Sequence, residues 1–436
     1  MKLLISMKKY FNYFYISLVL FVYIYSIKLK FFPVGLDKIV SFCAFLSIFP
    51  LHIKSFFRFL KRNKIVLYYY LILLFLFSYS SIIFVLNTSW DFSFLYSLLL
   101  RLTVFYFPVL FILFYIYKNS QTNDFKKKVL NILAFIIGLQ SIFIIYSFFN
   151  LDFKHFVDQI LPYIGNIKEF RLDRMRGISN SSGATLSLVQ GIGAYICLYL
   201  LYFAGSIKER IIYLIFLSLD VVSLIFTGRS GLILFIFCSV GFLLANFLFL
   251  ISLRGVKLSL TVVISFIIIY FFITHINFLG LKTKQVYIFY DEILPWAMEL
   301  FENFLKKHVL ITESTHELSN MLHWPQDFKT FFLGDGIFER AYTMSDSGYV
   351  RYIYNFGVIG IVILIFSIVY LFYYAIKRSL VPEKIWLLLL MLYVLFIDIK
   401  EPFLLKPQYY PLLLLILFTF IIDAKIILVS NSKKQK

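Results

Sequence analysis

The chain has 436 residues, of which 61% are hydrophobic and only 15% are charged, and its formal net charge is +19. A soluble globular domain has roughly half apolar and a quarter charged residues, so this composition excludes an ordinary soluble fold. In a membrane protein the positive charge reports topology, because Lys and Arg gather in cytoplasmic loops, and binding to nucleic acid is rejected.

Long uncharged runs predict membrane-spanning helices. Residues 65–86 contain no charged side chain, and about 20 apolar residues are enough to cross the hydrocarbon. We predict an all-α, polytopic transmembrane helical bundle of about 12 helices, forming a single integral membrane domain over 1–436. The predicted spans are 10–27, 34–53, 65–86, 92–117, 129–149, 183–203, 211–227, 230–250, 258–278, 350–375, 384–400 and 408–428.

The distribution of Lys and Arg predicts that both termini lie in the cytoplasm. Basic residues crowd the termini and every second connection, whereas the connections between them carry only Lys28, Lys30, Arg229 and Lys406 outside the two longest loops. Those longest loops, 150–182 and 279–349, fall on the opposite, extracytoplasmic side. Connections longer than about 15 residues are usually functional or disordered, so both loops are candidate functional regions.

The first of these loops ends in three closely spaced arginines, Arg171, Arg174 and Arg176. Guanidinium groups bind phosphate oxygens through paired hydrogen bonds, and the backbone N–H groups of a following helix would add affinity for an anion. The pattern predicts a site for a phosphate or pyrophosphate head group. A solvated loop or a contact with outer-leaflet lipid is the alternative.

Two further arginines interrupt apolar runs. Arg229 lies in the sequence TGRSG at 227–231, and Arg101 lies within the predicted span 92–117. A charge at such a position is costly unless it is paired or faces a polar cavity. We predict that Arg229 faces a polar cavity and that Arg101 lines the same cavity; for Arg229 the alternative is an interfacial arginine that snorkels at a tight turn.

The second long loop carries a helical pattern over 291–310. Leu300 and Phe304 fall on one face, Glu299 and Glu302 fall on the other, and acidic residues precede lysines as the helix dipole prefers. This pattern predicts a helix that lies on the membrane face. An ordinary lid without chemistry fits the same pattern.

The end of the second loop, 345–360, places Asp346 and Arg351 at the start of a span. Asp346 is a candidate acid, base or acceptor-orienting group, and a plain helix N-cap is the alternative. No metal or cofactor is predicted: Glu313, His316 and His323 have no evident ligands from a second segment, and the chain has no Gly-rich nucleotide motif.

The stretches 171–183, 227–231 and 346–360, together with the two large outer loops, resemble the O-antigen polymerase family. The related ligases carry a histidine where this chain has Asp346, followed by the matching spacing to Gly357 and Gly360. That difference favours a polymerase. The polymerases also have ten residues between an arginine and a glycine in both loops, and Arg171 to Gly183 departs from this spacing.

The resemblance implies a glycosyltransferase that needs neither a metal nor a nucleotide sugar. It would move glycan from undecaprenyl pyrophosphate to the terminal sugar of another lipid-linked repeat unit, at the periplasmic side of the inner membrane. A chain-length regulator and a flippase are the implied partners besides the lipid-linked oligosaccharide and the bilayer. Asp346, Arg229 and Arg351 are the candidate catalytic residues, and Arg171, Arg174, Arg176 and Arg101 are the candidate substrate-binding residues.

Two other functions stay open. A ligase would transfer finished glycan to a lipid A core, and a flippase would move lipid-linked oligosaccharide across the membrane. Transporters often contain internal repeats and flippases usually have short loops, so the long loop 279–349 and the lack of a repeat argue against transport.

Overall fold

A computed structural model describes residues 2–32, 34–119, 125–162, 175–181, 183–246, 287–308 and 312–434. Within these residues all regular structure is helical, so the all-α prediction is confirmed there. Arg171, Arg174 and the predicted span 258–278 lie outside the described residues.

The helices occur in the following order along the chain. They are α1 (Lys2–Ile24), α2 (Leu36–Arg62), α3 (Lys64–Leu86), α4 (Ser93–Leu100), α5 (Tyr106–Asn119), α6 (Phe125–Phe149), α7 (Leu151–Ile160), α8 (Gly183–Tyr202), α9 (Ile207–Thr227), α10 (Arg229–Ala245), α11 (Leu294–Lys307), α12 (Glu313–Asn320), α13 (Phe328–Leu333), α14 (Arg340–Thr343), α15 (Gly348–Lys377), α16 (Val381–Ile397) and α17 (Tyr409–Lys434). A π-helical segment, Arg101–Phe105, joins α4 to α5, another, Ile288–Ile293, leads into α11, and a 3₁₀ turn, Phe403–Leu405, precedes α17.

Six helices in the described part of the chain are long and apolar enough to cross a membrane. They are Lys64–Leu86, Ser93–Asn119, Phe125–Phe149, Gly183–Tyr202, Ile207–Thr227 and Gly348–Lys377. Tyr13–Ile24, Arg229–Ala245 and Tyr409–Ile422 are apolar but shorter. The count of about 12 spans and the orientation of the chain stay predictions.

The chain folds as two compact units, each built from two separate stretches of sequence. Unit 1 comprises Met1–Val40 and Lys127–Glu299, and unit 2 comprises Ser41–Lys126 and Leu300–Lys436. Hydropathy did not indicate this grouping, because it carries no information on which helices pack together, and the single integral membrane domain over 1–436 stays a prediction.

Unit 1 is organised around α8, which is buried along nearly its whole length. Its sequence is mostly apolar and has no separate polar face, as expected for a helix with no solvent-facing surface. Glycine lets its neighbours approach closely, since a Cβ on Gly191 would collide with the backbone of Gly231 in α10.

In unit 2, the long helix α15 is broken at its ninth and tenth residues, within the first third of its length. Phe356 has φ −136° and ψ 17°, and Gly357 has φ 64° and ψ −175°, a region that only glycine adopts readily. The loop after α13 bonds to the carbonyls next to the break: the backbone N–H groups of Asp335 and Gly336 donate to the carbonyls of Tyr354 and Asn355, at 2.8 and 2.9 Å. The loop therefore provides hydrogen bonds where the helix is interrupted.

The variant Gly357→Ala is expected to destabilise unit 2 by about 1–3 kcal/mol. A Cβ there meets the backbone carbonyl of Phe332, and the positive φ is unfavourable for alanine. Thermal unfolding of the purified protein in detergent measures the effect. The control is Gly205→Ala, since a Cβ at Gly205 has nothing within 4 Å; equal melting temperatures for the two variants would contradict the prediction.

The helix predicted over 291–310 is present as α11. The side chains of Leu300 and Phe304, on which the apolar face depends, lie outside the described residues. Its position on the membrane face stays a prediction.

Candidate functional site

The TGRSG sequence forms the turn between α9 and α10 in unit 1. α9 ends at Thr227, α10 begins at Arg229, and the turn is fastened to α8 by one side chain. The Ser187 hydroxyl donates to the carbonyl of Gly228 and accepts the backbone N–H of Gly231 at 2.8 Å. The adjacent predicted spans 211–227 and 230–250 are therefore two separate helices up to Ala245, and the contact with α8 fixes the position of the backbone that carries Arg229.

The Arg229 side chain has an acidic and an aromatic partner on α11. Its guanidinium pairs with the carboxylate of Glu299 and lies 5.0 Å from the centre of the Trp296 ring. Neither partner was identified from sequence, because Glu299 appeared only as a polar-face residue of its helix. Pairing lowers the cost of placing this charge beside apolar helices.

Arg176 is buried, with 4% of its surface exposed, and its guanidinium contacts the end of α7. Nε donates to Asp158 at 2.7 Å, and the terminal nitrogens donate to the carbonyls of Pro162 and Leu161, each at 3.1 Å. A cation at a helix C-terminus is favourable because carbonyls there lack helical partners. These bonds engage all three nitrogens within the protein, so the structure gives Arg176 a role in holding the loop.

The described end of the arginine-rich loop, from Met175 onward, lies beside the TGRSG turn. The backbone N–H of Met175 donates to the carbonyl of Phe226 at 2.9 Å, next to the turn that carries Arg229. The amide of Gln140 in α6 holds the same segment, since its Nε2 donates to the carbonyl of Arg176 at 2.8 Å and its Oε1 accepts the backbone N–H of Ile178 at 3.3 Å. The segment 175–178 is therefore held between α6 and the TGRSG turn, a proximity that the sequence did not indicate.

A buried polar cluster in unit 1 was not found from sequence. The Ser141 hydroxyl lies 2.6 Å from a carboxylate oxygen of Asp220 and 2.8 Å from the Gln190 amide oxygen, and that amide reaches the Tyr25 hydroxyl at 3.3 Å. The available signal was Asp220 itself, a carboxylate inside an apolar run. Ionisable residues inside membrane helices are commonly functional, and here hydrogen bonds also compensate for burial.

In unit 2, Asp346 precedes α15 without capping it. The N-cap is Ser347, and no side-chain capping bond is present. The Asp346 carboxylate is instead partly exposed and pairs with Nε of Arg340 at 2.8 Å. The plain N-cap interpretation of Asp346 is therefore wrong, and its chemical role stays a prediction.

Asp346 also lines a small cavity of about 90 Å³ in unit 2. This cavity carries charges of both signs and two apolar side chains. Carboxylates accept hydrogen bonds from hydroxyl groups, so such a cavity suits a polyhydroxylated group. Its lining residues are Glu317, Leu318, Met321, Asp346, Lys400 and Glu401.

Arg351 contacts the segment that leads toward Asp346. Its Nε donates to the carbonyl of Phe338 at 2.7 Å, and its guanidinium lies 4.3 Å from the centre of that ring. Asp91 accepts the backbone N–H groups of Phe338 and Glu339, each at 2.5 Å. Partial burial raises the pKa of Asp91, but hydrogen bonds from Ser93, Phe338 and Glu339 outweigh it and lower the pKa overall. The hydrogen bond from Arg351 to Phe338 therefore attaches the loop at Phe338 to α15.

Arg101 lies in the π-helical segment between α4 and α5, and 1% of its surface is exposed. Within the described residues, none of its guanidinium nitrogens has a hydrogen-bond partner. The guanidinium lies 5.0 Å from the centre of the Tyr410 ring. Single π-helical turns are frequent at functional sites. Asp398 and Tyr410, its neighbours here, were not identified from sequence.

The described residues contain no cluster of metal-ligating side chains. His323 instead contacts the carbonyl of Thr343 at 2.8 Å. The chain matches no family model, no curated protein and no solved structure.

Proposed function

We propose that this protein is an integral membrane glycosyltransferase that polymerises polysaccharide repeat units. The donor is a glycan on undecaprenyl pyrophosphate, and the acceptor is the terminal sugar of another lipid-linked repeat unit, on the periplasmic side of the inner membrane. No metal or cofactor is needed, because the diphosphate is already a good leaving group. A flippase would supply the lipid-linked unit, and a chain-length regulator would act on the same product.

The observation that carries the proposal is the contact between Met175 and the end of α9 in unit 1. The backbone bond from Met175 to Phe226 places the residue that follows Arg174 next to the turn that holds Arg229. A guanidinium group beside the leaving diphosphate would stabilise the negative charge that grows on it. Arg229, with Arg171 and Arg174, is the proposed donor contact, and Arg176 holds the loop in place.

The proposed reaction is a substitution at the anomeric carbon of the donor sugar. An acceptor hydroxyl forms the new glycosidic bond, the bond from that carbon to the diphosphate breaks, and the diphosphate departs with the electron pair. The hydroxyl proton passes to a carboxylate, for which Asp346 is the candidate. Arg351 supports this role by holding the loop that precedes Asp346.

A deletion strain provides the direct test, by a gel of its surface polysaccharide. Loss of a polymerase leaves glycan of one repeat unit attached at the surface. Loss of a ligase leaves long polymer on the polyprenyl carrier and none on the lipid A core. A wild-type ladder of chain lengths would contradict the proposal.

The variant Asp346→Asn is expected to lower polymerisation by about 100-fold, which is the usual contribution of a general base. Asparagine retains an acceptor for Arg340, so the loop should keep its place. Incorporation of labelled repeat units into long chains by membranes measures the rate. The control is Glu302→Gln, an exposed acid paired with Lys306 on α11. A rate near wild type for Asp346→Asn would remove the carboxylate from the reaction.

A transporter is the second candidate, and the break in α15 favours it. Transporters of known architecture often place discontinuous helices at the substrate site, and Phe356 and Gly357 interrupt a membrane-length helix here. Reconstitution into vesicles separates the two functions. Movement of lipid-linked oligosaccharide across the bilayer without elongation would indicate transport.

A further inference from the structure

Arg101 presents an unusual set of unused hydrogen-bond donors inside unit 2. It is the ninth residue of the apolar stretch Ser93–Asn119, so it lies about 12 Å along the helix from its start. Nε and both terminal nitrogens have no acceptor within the described part of the chain. A buried cation without acceptors is unstable, so these donors indicate a group that occupies this position in the working protein.

Aromatic hydroxyl groups surround the guanidinium. The guanidinium lies over the ring of Tyr410, and the hydroxyls of Tyr410 and Tyr69 are 2.9 Å apart. Tyr352 also lies near enough to interact electrostatically with Arg101. One hydroxyl of the Tyr69–Tyr410 pair donates to the other, which leaves one O–H that can donate to an oxyanion beside the arginine.

Asp398 balances the charge of Arg101 without binding it. One carboxylate oxygen accepts the Tyr352 hydroxyl at 2.8 Å, and the other accepts the backbone N–H of Leu404 at 3.1 Å. Both carboxylate oxygens therefore accept hydrogen bonds from groups other than Arg101, and Asp398 still interacts electrostatically with the guanidinium. The nearby carboxylate offsets only part of the cost of burying the cation, and it leaves the guanidinium donors unfilled.

We propose that Arg101 forms a phosphate-binding site within unit 2, in which its unpartnered guanidinium N–H groups bind phosphate oxygens. All three nitrogens need acceptors, and a tetrahedral phosphate offers more acceptor oxygens than a carboxylate does. The phosphate belongs either to a polyprenyl carrier or to a free ion. The identification of that carrier rests on the proposed function, whereas the site itself rests on the unfilled donors.

The test is a binding titration of the full-length protein in a maltoside detergent, which contains no phosphate. All proteins carry Arg229→Ala, so that the proposed donor contact in unit 1 does not contribute. The probes are farnesyl diphosphate, inorganic pyrophosphate and, as a neutral control, farnesol. Binding of farnesyl diphosphate alone indicates a lipid-borne phosphate, and equal binding of pyrophosphate indicates a free ion; both outcomes support the site.

Two substitutions are expected to change the affinity in opposite directions. Arg101→Gln should weaken diphosphate binding at least about tenfold, because it removes the charged donors. Asp398→Asn should tighten it about threefold or more, because it removes a negative charge beside the anion. Loss of structure would weaken binding in both variants, so opposite signs separate recognition from damage.

The matched control is Arg378→Gln, which removes the same charge from unit 2 at an arginine that already has an acceptor, the carbonyl of Ile421 at 3.2 Å. Its affinity should equal that of the parent. If Arg101→Gln fails to fold, Arg101→Lys keeps the charge and should still bind more weakly, since lysine lacks the planar fork.

The proposal is overturned if no diphosphate binds the parent, if Arg101→Gln binds as well as the parent, or if Asp398→Asn binds more weakly. A polysaccharide gel tests the proposed function separately. Arg101→Gln cells could make polysaccharide of normal length although the purified variant binds diphosphate more weakly. That combination would support the phosphate site and would show that the site is not needed for polymerisation.

Discussion

Replacing Arg229 with alanine is expected to abolish long-chain polysaccharide while the protein still accumulates in the membrane. Removal of one fixed group that stabilises developing negative charge typically costs about 100- to 1,000-fold in rate. Elongation of labelled lipid-linked repeat units by isolated membranes measures this loss. Arg229→Lys keeps the charge but not the paired donors or the contact with Trp296, so an intermediate rate is expected.

The pairing of Arg229 with Glu299 makes this experiment decisive. If the arginine serves only to hold α11, then Glu299→Gln should impair the protein as Arg229→Ala does. If the arginine binds diphosphate, Glu299→Gln leaves that cation in place and polymerisation continues. Arg210→Ala, at the other end of α9, is the control for loss of a positive charge from the same unit. Full-length chains from Arg229→Ala membranes would remove the residue from the proposed site.

The variant Gly231→Ala is expected to destabilise unit 1 by about 3 kcal/mol, the upper part of the usual range for overpacking. The new Cβ would collide with the backbone carbonyl oxygen of Ser187, so the backbone of one helix would have to move. The same methyl group would push the TGRSG turn away from α8, so Arg229 would move as well. We therefore expect both a lower melting temperature and shorter polysaccharide chains.

The measurement is thermal unfolding in detergent, with Gly205→Ala as the matched control because that position has open space. Ser187→Ala gives a milder test of the same contact, since it removes the hydroxyl that bonds Gly228 and Gly231 without adding volume. Equal stability of Gly231→Ala and Gly205→Ala would contradict the close packing of α8 on α10.

Local patterns determined much of the helical structure. The uncharged run at 65–86 became α3, the break at Gly228 separated α9 from α10, and the acidic-to-basic pattern near 291–310 became α11. Each of these features depends on neighbouring residues, because helix formation and membrane compatibility are set within about 20 residues. The same patterns drew attention to Arg101 and Arg229, since a charge inside an apolar run is locally visible.

The tertiary structure determined which group each charged side chain contacts. Arg229 pairs with a carboxylate 70 residues away, and the hydroxyls of Tyr69 and Tyr410 meet across 341 residues. Arg176 resembled its neighbours in the loop, yet the fold directs it to the end of α7. A hydrogen bond depends on positions within about 3 Å, and only the packing of distant helices sets those positions. The sequence therefore identified the arginines whose charge lies within apolar segments. The fold determined that Arg176 and Arg229 are paired. It also determined that the guanidinium donors of Arg101 have no acceptor within the described residues.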